Sequence, residues 1–178
     1  MLRLFAAVEV PPDLAEELTH RQGSIPGARW RPAELLHITL RFFGQVSETA
    51  AADLDAELGR LRAQPFDLRL EGAGAFGEGP YTRAVWAGVG DSEPLRQLAA
   101  KCEGAARRAG LEPERRVYRP HVTLAYLRRP EPEKVAGWVR DNNLLRSPDF
   151  RVTWFGLYSS WSGPDGSRYD LEREYPLQ

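Results

Sequence analysis

His37-Ile38-Thr39-Leu40 recurs 84 residues later as His121-Val122-Thr123-Leu124. Only three histidines occur in the 178 residues, and two of them stand in this same four-residue frame. Each tetrapeptide alternates polar with apolar, which is the period of a half-buried β-strand. On such a strand Ile38 and Leu40 point into a core, while His37 and Thr39 emerge together on the other face. Val122 and Leu124 bury likewise, leaving His121 and Thr123 to emerge. Two strands that each present an imidazole and a hydroxyl imply a site with two proton-transfer groups and two hydrogen-bond donors.

The flanking sequence repeats as well. The first motif lies on a strand read over Leu35–Phe43 and stopped by Gly44. Ser47 then caps a helix carrying Ala50, Leu54 and Leu58. Phe66, Leu68 and Leu70 alternate on a strand, and the glycine-rich stretch 72–80 reads as a loop before a strand through Val85, Trp86 and Val89. The second motif lies on a strand from Val117 to Tyr126, followed by a helix opened by Glu131-Pro132 and carrying Val135 and Trp138. Phe150, Val152 and Trp154 alternate, Ser162–Gly166 makes a turn, and Tyr169, Leu171 and Tyr175 fall on a final strand. Ahead of these, residues 2–9 form a strand, and Pro11-Pro12 opens a helix ending near Gly23. Between the halves, Ser92 starts a helix with Leu95, Leu98, Ala99, Cys102 and Ala106 inward and Gly110 as its stop. Helices alternating with strands are compatible with a parallel sheet, but strand pairs joined by Gly-rich turns favour an antiparallel α+β arrangement. The expectation is an α+β fold over residues 1–178, bilobal and internally duplicated, with two antiparallel sheets, outer helices and a central cleft that the motif strands face.

Composition narrows the class. An apolar fraction of 42% suffices for a core in a chain this long. No run reaches a membrane-spanning length, and MLRLFAAVEV turns polar too soon for a signal peptide. The single cysteine, Cys102, excludes an internal disulfide and fits a reducing, cytoplasmic setting, with the thiol buried on its helix. A net charge of −1 argues against a polybasic nucleic-acid coat. Arginines nevertheless crowd the second motif, at 107, 108, 115, 116, 119, 128 and 129. A solvated basic surface and the steering of an anionic substrate both account for them.

Imidazole is a base when neutral and an acid when charged, both near neutral pH. Two histidines across a cleft can divide those roles, one taking a proton from an attacking nucleophile and the other giving one to a leaving oxygen. In-line cleavage of a phosphodiester needs that division, because attack and departure occur on opposite sides of phosphorus. Thr39 and Thr123 supply hydroxyls for the non-bridging oxygens. Arg41 and Arg119 share strand parity with their histidines and are candidate cationic contacts. A metal centre is the rival reading. Two histidines are too few for zinc, and no carboxylate or cysteine stands at ligand spacing beside either, so no metal and no cofactor is expected. His20 lies outside both motifs and reads as a surface residue. Phe43, Phe76, Tyr81, Trp86 and Trp161 are candidates for base stacking, though packing is the default role for most aromatics.

Paired His-x-Thr motifs in a chain of this size resemble the 2H phosphoesterase superfamily, and within it the RNA 2′,3′-cyclic phosphodiesterases, also called 2′-5′ RNA ligases. The resemblance rests on Arg3–Ala7, Leu36–Gly44, Val85–Val89, Arg119–Ala125 and the tail with Ser160, Gly166 and Tyr169. It implies metal-independent hydrolysis of a terminal 2′,3′-cyclic phosphate on RNA, or of cyclic nucleotides, to a 2′-phosphate, with reversible 2′-5′ joining at the same site. It also implies that His37 protonates the leaving 3′ oxygen, that His121 activates water, and that Thr39 and Thr123 bind the phosphate. The family often carries an arginine five residues past the second histidine. Here that residue is Tyr126, which leaves Arg128, Arg119 or Arg41 to take its place. A monomer is expected. A cyclic phosphodiesterase of small nucleotides and an RNA-end-binding module without turnover are the alternatives.

Overall fold

Leu4 to Val8, a run of five buried residues, forms the middle of the first strand and lies between two others in one sheet. The computed structural model describes residues 1–178. In chain order the elements are β1 (Leu2–Glu9), α1 (Pro12–Thr19), β2 (Arg29–Trp30), β3 (His37–Val46), α2 (Glu48–Gly59), β4 (Phe66–Leu68), β5 (Leu70–Phe76) and β6 (Ala84–Val89). They continue with α3 (Glu93–Arg108), β7 (His121–Tyr126), α4 (Pro132–Asn142), β8 (Phe150–Val152), β9 (Trp154–Gly163) and β10 (Gly166–Pro176). One sheet has the order β10-β9-β1-β3 and the other β2-β7-β6-β5, and every pairing is antiparallel. This is the expected α+β architecture of two antiparallel sheets with helices.

The helix signals act as read. Ser47 Oγ accepts the Ala50 N–H at 3.1 Å, and Ser92 Oγ accepts the Leu95 N–H at 3.2 Å. α3 buries Leu95, Leu98, Ala99, Cys102 and Ala106 as its spacing requires, and Ala105 with them. Burial also pushes the Cys102 thiol up to about 12, so it is not a nucleophile.

Several boundaries differ from the sequence reading. α1 stops at Thr19 rather than near Gly23. β7 begins only at His121, leaving 117–120 irregular, while β3 runs on past Gly44 to Val46. The alternation at Phe66, Leu68 and Leu70 belongs to two strands, not one, because the chain leaves β4 and joins a different sheet at Leu70. The glycine-rich stretch is strand as far as Phe76. Gly72, at φ +79°, lies within a shift of register between Leu70 and Ala73, and Gly74 leaves room for Trp86 on the neighbouring strand. A Cβ on Gly74 would come within 2.4 Å of the Trp86 ring. Gly72 is set by its left-handed backbone at the register shift and Gly74 by close packing between strands, neither by a turn.

The two halves of the chain are also woven together. Elements 84 residues apart hold equivalent places: β3 and β7, α2 and α4, β4 and β8, β5 and β9. Yet β3 shares its sheet with β9 and β10, and β7 shares its own with β5 and β6. Each motif strand therefore stands in a sheet completed by the other half. The crossover is marked by the short β4–β8 pair, where Asp67 lies opposite Arg151, its counterpart at that same offset. One continuous hydrophobic core joins the sheets and helices.

Candidate active site

The motif strands present their side chains as the alternation requires. Ile38, Leu40, Val122 and Leu124 are buried, while His37, Thr39, His121 and Thr123 are half-buried. Both imidazoles are fixed in the same way. His37 Nδ1 lies 2.9 Å from the Leu35 carbonyl oxygen, and His121 Nδ1 lies 2.6 Å from that of Arg119. A carbonyl only accepts, so Nδ1 carries the proton in each ring, and a neutral ring keeps its Nε2 lone pair free. The Thr39 hydroxyl, 3.0 Å from His37 Nε2, donates to that lone pair. Phe5 lies against His37 with ring centroids 4.9 Å apart, and Tyr169 meets it edge-on at 5.3 Å. Phe76 meets His121 edge-on at 4.8 Å.

Burial pushes the His37 pKa down to about 4, against the pull of the Leu35 carbonyl, with the charges of Arg31 and His121 adding to the fall. Burial also lowers His121, where the Arg119 carbonyl opposes the shift and its guanidinium adds to it. Each histidine is therefore neutral in the free protein at pH 7. A proton gained by His121 would oppose protonation of His37.

Strand parity fails one residue beyond each motif, and that decides the arginines. Opposite β1, Thr39 pairs with Ala7 and Arg41 with Ala6, so Leu40 is an extra residue. Opposite β6, Thr123 pairs with Trp86 and Ala125 with Val85, so Leu124 is extra in the same place. A bulge at such a position swaps the faces of the residues just beyond it. Arg41 consequently turns inward, only 8% exposed, with Nε donating to Glu103 at 2.8 Å and Nη2 to the Glu112 carbonyl at 2.6 Å. Arg41 still lines the cavity beside Thr39 and His121, but its guanidinium is engaged by Glu103 and the Glu112 carbonyl. Phe42 and Tyr126, one position further on, instead emerge at 50% and 41% exposure. Arg119 keeps to the cleft, with Cζ 5.5 Å from the centre of the Phe76 ring. Arg128 is exposed beyond β7, holds no hydrogen bond or ion pair and does not line the cleft beside the histidines.

Sequence reading missed Arg31. Its backbone N–H bonds the Leu124 carbonyl at 2.8 Å, at the bulge of β7. Its Nη2 donates to the Tyr169 hydroxyl at 2.6 Å, and its Cζ lies 5.2 Å from the Tyr126 ring and 5.5 Å from that of Tyr169. No carboxylate pairs with it. A two-residue strand such as β2 has no periodicity to read. The available signal was an arginine six residues ahead of the first motif histidine.

A cavity of about 710 Å³ opens beside His121 and Thr39 and runs past Phe42 and Phe76 to Arg83 and Arg116. Trp86, a stacking candidate, packs behind Phe76 with its indole N–H buried and unpartnered. Phe43 is buried, and Tyr81 and Trp161 are exposed away from this cavity. No cluster of three or more histidine, cysteine or carboxylate side chains could hold a metal ion, and no helix is long and apolar enough to cross a membrane.

Comparison with known proteins gives a consistent picture. The model of the 2′-5′ RNA ligase superfamily matches residues 10–163. The RNA 2′,3′-cyclic phosphodiesterase of Escherichia coli K12 is 33% identical over 98% of this chain and 96% of its own. That of Archaeoglobus fulgidus is 31% identical over 94% and 96% respectively. Among solved structures, E. coli LigT complexed with 3′-AMP superposes with a TM-score of 0.80 at 30% identity, covering 99% of this chain and 98% of that one. With paired motif strands, architecture and whole-length similarity in agreement, the chain belongs to the 2′-5′ RNA ligase superfamily, the 2H phosphoesterases.

Proposed function

We propose that this protein is a cyclic phosphodiesterase that opens the 2′,3′-cyclic phosphate at the end of an RNA strand and leaves a 2′-phosphate. The observation that carries this reading is the pair of imidazoles whose Nδ1–H groups are tied to backbone carbonyls, turning both Nε2 atoms away from the backbone, that of His37 toward the Thr39 hydroxyl. The names of the full-length relatives support it.

In the proposed reaction the cyclic phosphate lies between His37 and His121. Its negative charge favours the imidazolium form of both rings, and it acts most strongly where water is scarcest, at His37. Binding thereby supplies the protonated His37 that the free protein lacks. His121 takes a proton from water as the water oxygen bonds to phosphorus. The bond from phosphorus to the 3′ oxygen breaks, and that oxygen takes the proton from His37. Thr39 and Thr123 donate to the non-bridging oxygens, the Thr39 hydroxyl turning from Nε2 to do so. Arg31 provides the cation that Tyr126 cannot, because it rests on the Tyr126 ring and has no carboxylate of its own. Every proton moves between side chains and substrate, so no metal takes part. Replacing water by a ribose 5′ hydroxyl in the same attack joins two strands through a 2′-5′ linkage.

Phosphorus NMR of a 2′,3′-cyclic nucleotide incubated with the protein in EDTA tests the reading. A 2′-phosphate product is expected. Loss of turnover on chelation, restored by one divalent ion, would overturn the metal-free chemistry, and a 3′-phosphate would exchange the two histidine roles.

A further inference from the structure

The cavity beside His121 holds more positive charge than one cyclic phosphate can use. Five arginines line it, and three of them are neutralised, Arg41 by Glu103. Arg96 pairs with Asp91 and Glu93, and Arg116 with Glu114. Arg83 and Arg119 have no carboxylate partner. Both guanidinium groups lie over Phe76, each with Cζ 5.5 Å from the ring centre. Arg83 stands on fixed backbone, because its N–H bonds the Phe76 carbonyl at 2.9 Å and its carbonyl accepts the Leu127 N–H at 2.9 Å. Phe76 in turn meets the His121 ring edge-on. An aromatic platform flanked by unpaired cations thus begins at a catalytic candidate and leads away from it. The exposed ring of Phe42 belongs to the same cavity.

We infer that Arg83, with Phe76, forms a second phosphate subsite, which takes the phosphate on the 5′ oxygen of the nucleotide whose cyclic end lies between the histidines. The inference rests on the proposed phosphodiesterase reading and extends it to substrate choice. A cyclic mononucleotide carries one negative charge, and the histidine pair already receives it. Each further nucleotide of a chain adds one phosphodiester and one base. Cations beside an exposed aromatic face are what single-stranded RNA binds, through backbone charge and stacking. The volume of about 710 Å³ is in the range of sites that enclose a whole ligand rather than one phosphate. A 5′-terminal phosphate and the linkage to a preceding nucleotide share this chemistry, and the aromatic floor favours the chain.

The test measures kcat/KM in the wild type and in Arg83→Gln and Arg83→Lys for three substrates. These are a cyclic mononucleotide with a 5′ hydroxyl, the same with a 5′ phosphate, and a dinucleotide ending in the cyclic phosphate. The wild type should favour the dinucleotide over the 5′-hydroxyl mononucleotide by about tenfold or more, chiefly through KM. Arg83→Gln should reduce that ratio about tenfold and lower the salt dependence for the dinucleotide by about one phosphate contact. Arg83→Lys should restore most of both. An equal gain from the 5′ phosphate alone would assign the subsite to the phosphate itself, and a gain only in the dinucleotide would bring in the stacked base. A ratio that Arg83→Gln leaves untouched overturns the subsite while the phosphodiesterase reading stands. If the wild type turns over none of the three, that reading falls and the subsite falls with it.

Discussion

The two motif strands have nearly the same sequence and differ in what surrounds them. His37 is enclosed by Phe5 and Tyr169, holds the Thr39 hydroxyl and feels the charge of Arg31. His121 meets the edge of Phe76, has the Trp86 ring 6.2 Å away, and opens onto the cavity. One position past each bulge the strands part further, because β3 has the buried Arg41 where β7 has Ala125. The difference teaches that a repeated motif sets the geometry of two equivalent groups, while the unrepeated neighbours give each group its own acidity. An enzyme needing one acid and one base from identical side chains must create that asymmetry outside the motif.

The largest effects should come from the histidines. His37→Ala and His121→Ala should each lower kcat by about 10²–10⁴-fold with the fold retained, as for a positioned acid or base. Circular dichroism beside kinetics separates the outcomes, and a variant that keeps near-full rate would return its histidine to a packing role. Next comes the Arg41/Ala125 contrast. Arg41→Ala removes one donor from Glu103 and the side-chain donor of the Glu112 carbonyl, and should destabilise the protein by about 3 kcal/mol in urea titration. A loss of rate without a loss of stability would return Arg41 to the substrate. Arg31→Gln should lower kcat/KM by about tenfold, with Arg31→Lys recovering part of it.

The smallest effect, and the sharpest for the comparison, is on pH. Both imidazole pKa values are depressed in the free protein, so the kcat/KM profile should be bell-shaped with its optimum below the ordinary histidine value of 6.5. The bound anion raises both groups, so the kcat profile should lie at higher pH. Removing the Arg31 charge makes His37 easier to protonate and should move the His37 limb upward. Proton NMR titration of the two rings gives the direct measure. Equal, unshifted titrations would erase the asymmetry between the strands.

Much of this was legible in the sequence. Alternation placed four side chains on one face of two strands, and Ser47 and Ser92 announced their helices. Three things were not. Period-two reasoning holds only while the register does, and bulges at Leu40 and Leu124 end it immediately after the motifs. Glycines at 72 and 74 interrupt the pattern, and sequence does not say whether a turn, a shift of register or a neighbouring indole requires them. Arg31 joins the site through Tyr126 and Tyr169, across 95 and 138 residues of chain, and no local pattern encodes such a meeting.

The exchange of strands between halves bears on how the molecule is made. β5, β6 and β7 lie close in sequence, so their sheet can assemble while the chain is still being synthesised. β1 must wait for β9, with Leu4 opposite Ser159, before the sheet that carries His37 has its second neighbour. Pairing across so long a stretch is slow to form. A nascent or truncated chain therefore displays one histidine on a finished sheet and the other on an unfinished one, and competence for chemistry arrives only with the last strands. Hydrogen-exchange labelling during refolding should show protection of β6 and β7 before β1.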